Sequence, residues 1–348
     1  MGGGKYIKTK LTVLPEELSG LIEPAMNETV NFTRYQKGQK KGHYESFFQR
    51  ANHPSEPKAF WIRYTIFSPD NHPEKAIGEL WAIYFDGITH QHISVKKEVL
   101  FEKCIFENNR FFIEIGTSFL ENGKLSGNIF TENNSIEWNL NYTGNSETLF
   151  PLPENLYEGN FPKAKILVGL PLASYSGNLL MNGNNITIAN WIGSQNHNWG
   201  IRHTDHYAWG QVAGFDNAPE SFFEVTTARL KFGPVWTPFM TLMTLRHKGH
   251  EYRLNTIFQS LKAKGKFDHF NWRFYSKNSN AEIEGTIFAD KNDFVHLKYY
   301  NPPGGIKNCL NTKIASAKIK IRYKDSSGKF IEDILEAKNR AAFEILED

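Results

Sequence analysis

Between Trp191 and Gln211 the chain gathers three tryptophans, three histidines, one tyrosine and one aspartate. Four side-chain amides, Gln195, Asn196, Asn198 and Gln211, lie among them, with glycines at 193, 200 and 210. Imidazoles and carboxylates move protons, while aromatic faces exclude water and stabilise cations. Together these groups suit proton-driven chemistry on an apolar, electron-rich molecule. The competing explanation is a well-packed strand end, because His and Trp are also ordinary core and turn residues.

Such side chains need rigid elements beneath them, and the rest of the sequence reads as strands. Trp61, Arg63 and Thr65 alternate with Phe60, Ile62, Tyr64 and Ile66, and Ile319, Ile321 and Tyr323 alternate with Lys318, Lys320, Arg322 and Lys324. A period of two is the signature of a β-strand. Turn clusters at Glu121-Asn-Gly123, Asn182-Gly-Asn184, Pro302-Pro-Gly-Gly305 and Asp325-Ser-Ser-Gly328 fall at the spacing of antiparallel hairpins. Long amphipathic helices are scarce. The segment Ile331–Leu346 reads either as a helix or as a closing strand. Prolines at 151, 153, 162 and 171 mark a connecting passage, so two all-β domains are expected, residues 1–165 and 166–348.

Composition removes several classes. The chain has 348 residues, enough for two cores without staples. Its two cysteines, Cys104 and Cys309, fit neither a disulfide scaffold nor a metal cluster. The formal charge is +3, with 40 basic residues spread along the sequence against 37 acidic ones, which disfavours nucleic acid as a partner. The first ten residues lack the apolar core of a signal peptide, and no run is long enough to cross a bilayer, so a cytoplasmic location is expected. Asn-x-Ser/Thr triplets at Asn27, Asn31, Asn133, Asn141 and Asn185 then carry no weight. The gaps between His197, His203 and His206 match no standard ligand pattern. No metal site is expected, and no phosphate loop, dinucleotide fingerprint or nucleophile elbow is present.

Asn198-Trp199-Gly200, followed after eight residues by Trp209-Gly-Gln211, resembles the lipocalin-like superfamily of carotenoid 1,2-hydratases (hydroxyneurosporene synthases), tocopherol cyclases and related Diels-Alderases. Asn308-Cys-Leu-Asn-Thr-Lys-Ile-Ala315 is similar to that superfamily's Cys-x-Asn-Ser/Thr-Lys signature, and Ala342-Phe-Glu344 to its closing strand. The likeness covers the C-terminal half well and the N-terminal half loosely. It implies two lipocalin-like (calycin-like) antiparallel β-sandwich or barrel domains, with a cavity at their junction or within a barrel. It also implies an apolar, often isoprenoid substrate and chemistry at a carbon–carbon double bond, by hydration or cyclisation without a cofactor.

In hydratase-like members an Asp precedes the motif's His; here position 196 is Asn, which cannot donate the proton. The expected acid is therefore His197 or Asp205, with His203 and His206 as further candidates. Trp191, Trp199 and Trp209 are candidate cavity walls, and Gln195, Asn196, Asn198 and Gln211 candidate orienting amides. Gln211 stands out, because an inward Gln on an aromatic strand must find a partner. Glu224 and Arg229 read as an ion pair, solvated more readily than internal. Glu45, Arg50, Asn52, His53, Trp61 and Arg63 read as interdomain hydrogen-bonding residues, with the far side of a shared pocket as the alternative. The expected partner is a hydrophobic small molecule, with peripheral membrane access as a route for it. The alternative is a carrier of the same fold that makes no bond.

Overall fold

A computed structural model describes residues 29–325 and 327–347. Residues 1–28, on which the signal-peptide reading and the Asn27 triplet rest, lie outside the described residues.

The alternation forms strands throughout. In Ser135–Thr143, Ile136, Trp138, Leu140 and Tyr142 are buried while Asn139 and Asn141 face outward, as a strand with one wet face requires. The first sheet contains β1 (His43–Asn52), β2 (Lys58–Ser68), β3 (Ile77–Asp86), β4 (Ile93–Leu100), β5 (Cys104–Phe106), β6 (Phe112–Ile115), β7 (Ser118–Glu121), β8 (Lys124–Phe130), β9 (Ser135–Thr143), β10 (Ala164–Met181) and β11 (Asn184–Gly200). All neighbours are antiparallel in the order β4-β3-β2-β1-β11-β10-β9-β8-β7-β6-β5, and the sheet curls into a nearly closed barrel. Its interior holds Phe47, Tyr64, Trp138, Tyr175 and Trp191.

The remaining chain builds β12 (His206–Phe215), β13 (Ala218–Arg229), a small hairpin of β14 (Lys231–Phe232) and β15 (Val235–Trp236), then β16 (Met240–His247), β17 (His250–Leu254) and helix α1 (Ile257–Lys262). It continues through β18 (Lys264–Asp268), β19 (Asn271–Lys277), β20 (Ala281–Phe288), β21 (Val295–Tyr300), β22 (Ile306–Lys324) and β23 (Phe330–Glu347). The second sheet runs β17-β16-β13-β12-β23-β22-β20-β19-β18, with β21 on β22. Its own core includes Phe223, Trp272, Ile319 and Phe343. At Gly265 in β18 a Cβ would lie 2.1 Å from Thr227 Oγ1 and 2.3 Å from Thr241 Oγ1. Only glycine lets β18 lean onto β13 and β16 and narrow the gap in this sheet.

The four turn clusters connect β7 to β8, β10 to β11, β21 to β22 and β22 to β23. Asn182 and Gly183 both have positive φ, 47° and 83°, as a tight hairpin turn demands. Residues 331–346, open between helix and strand, are part of β23. The division expected at residues 165 and 166 falls inside β10. The proline-rich passage is a loop that leaves the first sheet after β9 and rejoins it at β10, and β11 then pairs with β1. The chain changes sheets between Gly200 and His206, because a pairing across more than a hundred residues captures β10 and β11.

Each sheet keeps one face for its own core and turns the other toward its partner. Phe48, Trp61, Trp81, Trp209, Tyr299 and Leu346 pack between the sheets. Every residue of β1 is consequently buried. A second junction feature is polar: Arg50 Nε donates to Gln211 Oε1 at 2.7 Å, and Asn52 Nδ2 to Lys313 O at 2.7 Å, which gives both residues the interdomain role read from sequence. At the far end of the second sheet, Ser221 Oγ lies 2.7 Å from His247 Nδ1, and His247 Nε2 lies 3.0 Å from Asp333 Oδ2. These are the residue types of a hydrolase triad, yet Ser221 is wholly buried. The chain of bonds ties β13, β16 and β23 together.

Candidate active site

Strand geometry sorts the sequence-predicted residues onto two faces of β11. Trp191, Gln195, His197 and Trp199 point into the first barrel. Gln195 and Asn31 exchange amide hydrogen bonds of 3.0 and 3.1 Å. His197 stacks on Phe47 with ring centroids 4.0 Å apart, and its Nε2 lies 2.8 Å from Glu45 Oε1. Burial and the Arg34 guanidinium beside it hold the imidazole down to about 4, and its Nδ1 lies 2.9 Å from Val30 O and 3.2 Å from Arg34 Nη1. Arg34 also covers the Trp199 ring at 3.7 Å. Trp191 joins the barrel core between Phe60 and Tyr84.

Ser194, Asn196 and Asn198 alternate with them and face the second sheet. There the two sheets enclose a cavity of ≈ 220 Å³. Tyr44, Phe48, Ile166 and Asn198 supply the wall from the first sheet. Tyr207, Trp209, Glu224, Thr226, Thr244 and Glu344 supply it from the second, and Leu156, Phe161 and Ile257 close the end. An apolar chamber with a few convergent polar groups is the usual form of a small-molecule site.

Antiparallel register places the polar groups. Glu224 pairs with Gln211 across β12 and β13, and Glu344 pairs with Trp209 across β12 and β23. Trp209 Nε1 donates to Glu224 Oε1 at 2.6 Å, and Gln211 Nε2 donates to Glu224 Oε2 at 2.8 Å. Gln211 is the hub: its Oε1 accepts from Arg50 and from Ser194 Oγ (2.6 Å), while Nε2 also reaches Asn196 Oδ1 at 2.7 Å. On the other side of Trp209, Glu344 Oε1 accepts from Lys313 Nζ at 2.8 Å and Asn311 Nδ2 at 2.6 Å. Thus the Asn-Thr-Lys run of β22 braces a carboxylate on the cavity wall.

The titratable groups divide sharply. Burial pushes the Glu224 carboxyl up to about 7, against the two donated hydrogen bonds and Arg50, with Glu344 adding to the rise. Burial thus holds this carboxyl well above the ordinary carboxylate range. His203 stacks on Tyr44 at 4.0 Å within the wall and is pushed down to about 3 by burial and Arg63. Asp205 is buried but turned to Arg202 and to the Lys231 backbone N–H at 3.0 Å, and it does not line the cavity. His206 packs with Phe239 and Phe267. Glu224 and Arg229 are not paired with each other, since Arg229 covers the rings of Trp236 and Phe239. Of the predicted residues, Asn198, His203 and Trp209 line the cavity, and Asn196 and Gln211 stand behind Glu224. Cys104 and Cys309 are free thiols. No cluster of three His, Cys, Asp or Glu suited to a metal ion occurs among the described residues.

Glu224 was read from sequence only as an ion-pair partner and not as a cavity residue, although its signal lay in the sequence. In Phe222-Phe-Glu-Val225 a carboxylate interrupts an unbroken apolar run, the pattern of a strand covered on both faces.

The fold is that of the lipocalin-like proteins the sequence resembles. Solved structures that share it include a protein provisionally assigned as AttH from Nitrosomonas europaea, at a TM-score of 0.57 and 11% identity over 96% of this chain and 98% of that one. Kievitone hydratase from Nectria haematococca aligns at 0.50 and 11% identity over 92% and 91%, and CghA at 0.53 and 8% over 92% of each chain. At such identities the likeness is one of fold. No family model and no curated sequence matches.

Proposed function

We propose that this protein is an enzyme that protonates a carbon–carbon double bond of an apolar small molecule held between its sheets, with Glu224 as the acid in the place expected for His197 or Asp205. The observation that carries this reading is the Glu224 carboxyl, raised to about 7 on the wall of a largely apolar chamber. Both of its oxygens already accept from fixed N–H donors, so the acid proton is left for a group in the cavity. Transfer to one alkene carbon creates a cation at the other. The Trp209 ring, with Tyr44 and Phe48, supplies faces that stabilise it, and the Glu344 carboxylate lies across the register from Trp209. Water, or a hydroxyl of the substrate, adds to the cation, and the proton it loses returns to Glu224. The products are respectively a hydrated or a cyclised molecule.

The substrate carries a polar group as well. Asn198 Oδ1 and Thr244 Oγ1 are buried in the wall without a hydrogen-bond partner among the described residues, and an unsatisfied buried polar atom costs about 1–3 kcal/mol. A hydroxyl of the substrate satisfies both. The family likeness in fold to a hydratase supports the reaction class.

The test begins with protein purified from its own host and organic extraction of whatever is bound. Wild-type protein is expected to convert the extracted ligand to a hydrated or cyclised product, with Glu224→Gln slower by at least about 100-fold. Equal rates in the variant would overturn the assignment of the acid, and a ligand bound but unchanged by wild type would make the protein a carrier.

A further inference from the structure

Around the closed end of the chamber, three short segments turn apolar side chains to solvent. Helix α1 is fixed by a capping box in which Gln259 N donates to Thr256 Oγ1 and Thr256 N donates to Gln259 Oε1. It buries only Ser260, so Phe258 remains 80% exposed beside Ile257 and Leu261. The β14–β15 hairpin shows Phe232 and Val235, the latter 65% exposed, and Phe239 follows it. Phe161 is the third. Cavity-lining residues tie all three segments to that end: Ile257 and Ser260 on α1, Leu230 and Met240 on either side of the hairpin, and Phe161 itself.

Exposed apolar patches of this kind mark a docking surface. Charge selects what docks. Each segment carries an exposed lysine, Lys262, Lys231 and Lys163. Among the described residues none of the three is in an ion pair, and residues 161–163, 231–239 and 257–262 contain no acid. Apolar groups that dip into acyl chains beside lysines that meet phosphates describe an interfacial anchor. Among the described residues no helix is long and apolar enough to cross a bilayer, which leaves contact from one side.

We infer that this lip docks on an anionic lipid surface and opens the chamber toward the acyl layer, so that an apolar substrate enters without crossing water. The inference rests on the proposed function for its purpose, but its physical claim is separable.

The experiment is co-sedimentation of the full chain with vesicles of phosphatidylcholine containing phosphatidylglycerol, and with phosphatidylcholine alone. Wild type is expected to bind the anionic vesicles more tightly by about tenfold or more, and the excess should fade as salt rises. Phe258→Ser with Val235→Ser should lower partitioning by about tenfold, and Lys163→Glu with Lys231→Glu and Lys262→Glu should abolish the preference for anionic lipid. All these positions are exposed, so melting temperatures should match wild type. Wild-type protein that stays in the supernatant at low salt overturns the inference, as does a dimer that the Phe258→Ser and Val235→Ser substitutions dissociate, since the patch would then belong to a second copy. Glu224→Gln should bind vesicles like wild type, so loss of the catalytic reading alone leaves this result intact.

Discussion

The behaviour of individual carboxyl groups follows from what surrounds them. Glu224 keeps a proton because burial outweighs two N–H donors and Arg50. Its acid form is present below about 7 and disappears above it, so the rate of the proposed protonation should fall with pH through that range. A kcat–pH profile that stays flat from pH 5 to 9 would rule Glu224 out. Glu344, on the other side of Trp209, accepts hydrogen bonds from both Lys313 and Asn311. Lys313 is fully enclosed, with its ammonium 5.3 Å from the Trp209 ring. Removing one member of a buried pair strands the other charge, so Lys313→Met should lose about 3–5 kcal/mol in denaturant melts. The Lys313→Met, Glu344→Leu double variant should recover much of that loss.

At the scale of the element, β11 decides which residues share a site. Its period of two puts Asn198 on the cavity side and His197 and Trp199 on the barrel side. Asn198→Leu should therefore weaken substrate binding while leaving the melting temperature near wild type. His197→Ala should do the opposite: it opens a void against Phe47 and removes a donor from Glu45, costing about 2–4 kcal/mol of stability. Activity per folded molecule should change little. A His197→Ala protein that is stable but inactive would return the acid role to the imidazole. The three residues that the sequence motif presents together, 197 to 199, thus do two different jobs because a strand cannot turn adjacent side chains the same way.

For the whole molecule, two buried glutamates bend stability with pH in opposite senses. Burial pushes Glu45 up, but hydrogen bonds from His197 and His43 win and hold it at about 2. Its folded value lies below the ordinary 4.5, so its contribution of about 3 kcal/mol is present above pH 4.5 and is lost as pH falls toward 2. Glu224 has a raised folded value, so the stability it lends is full below 4.5 and is lost as pH rises toward 7. Chemical melts at pH 3, 5 and 8 should show Glu45→Gln closer to wild type at pH 3 than at pH 5. A gap independent of pH would show that Glu45 is not held ionised.

The sequence by itself determined the all-β class, the positions of the hairpin turns and the likeness to a lipocalin-like superfamily, because alternation and turn chemistry are local. It also pointed to Gln211 as a residue needing partners, since a buried amide among aromatics must bond. Tertiary structure alone decided that β10 and β11 rejoin the first sheet and that the chamber lies between two sheets. It also decided that the Glu224 carboxyl lies on the cavity wall with its pKa pushed up by burial, while His197 and Asp205 lie away from it. Those outcomes depend on pairings between strands far apart in sequence and on the loss of water around one carboxyl, and neither is written in any short run of residues.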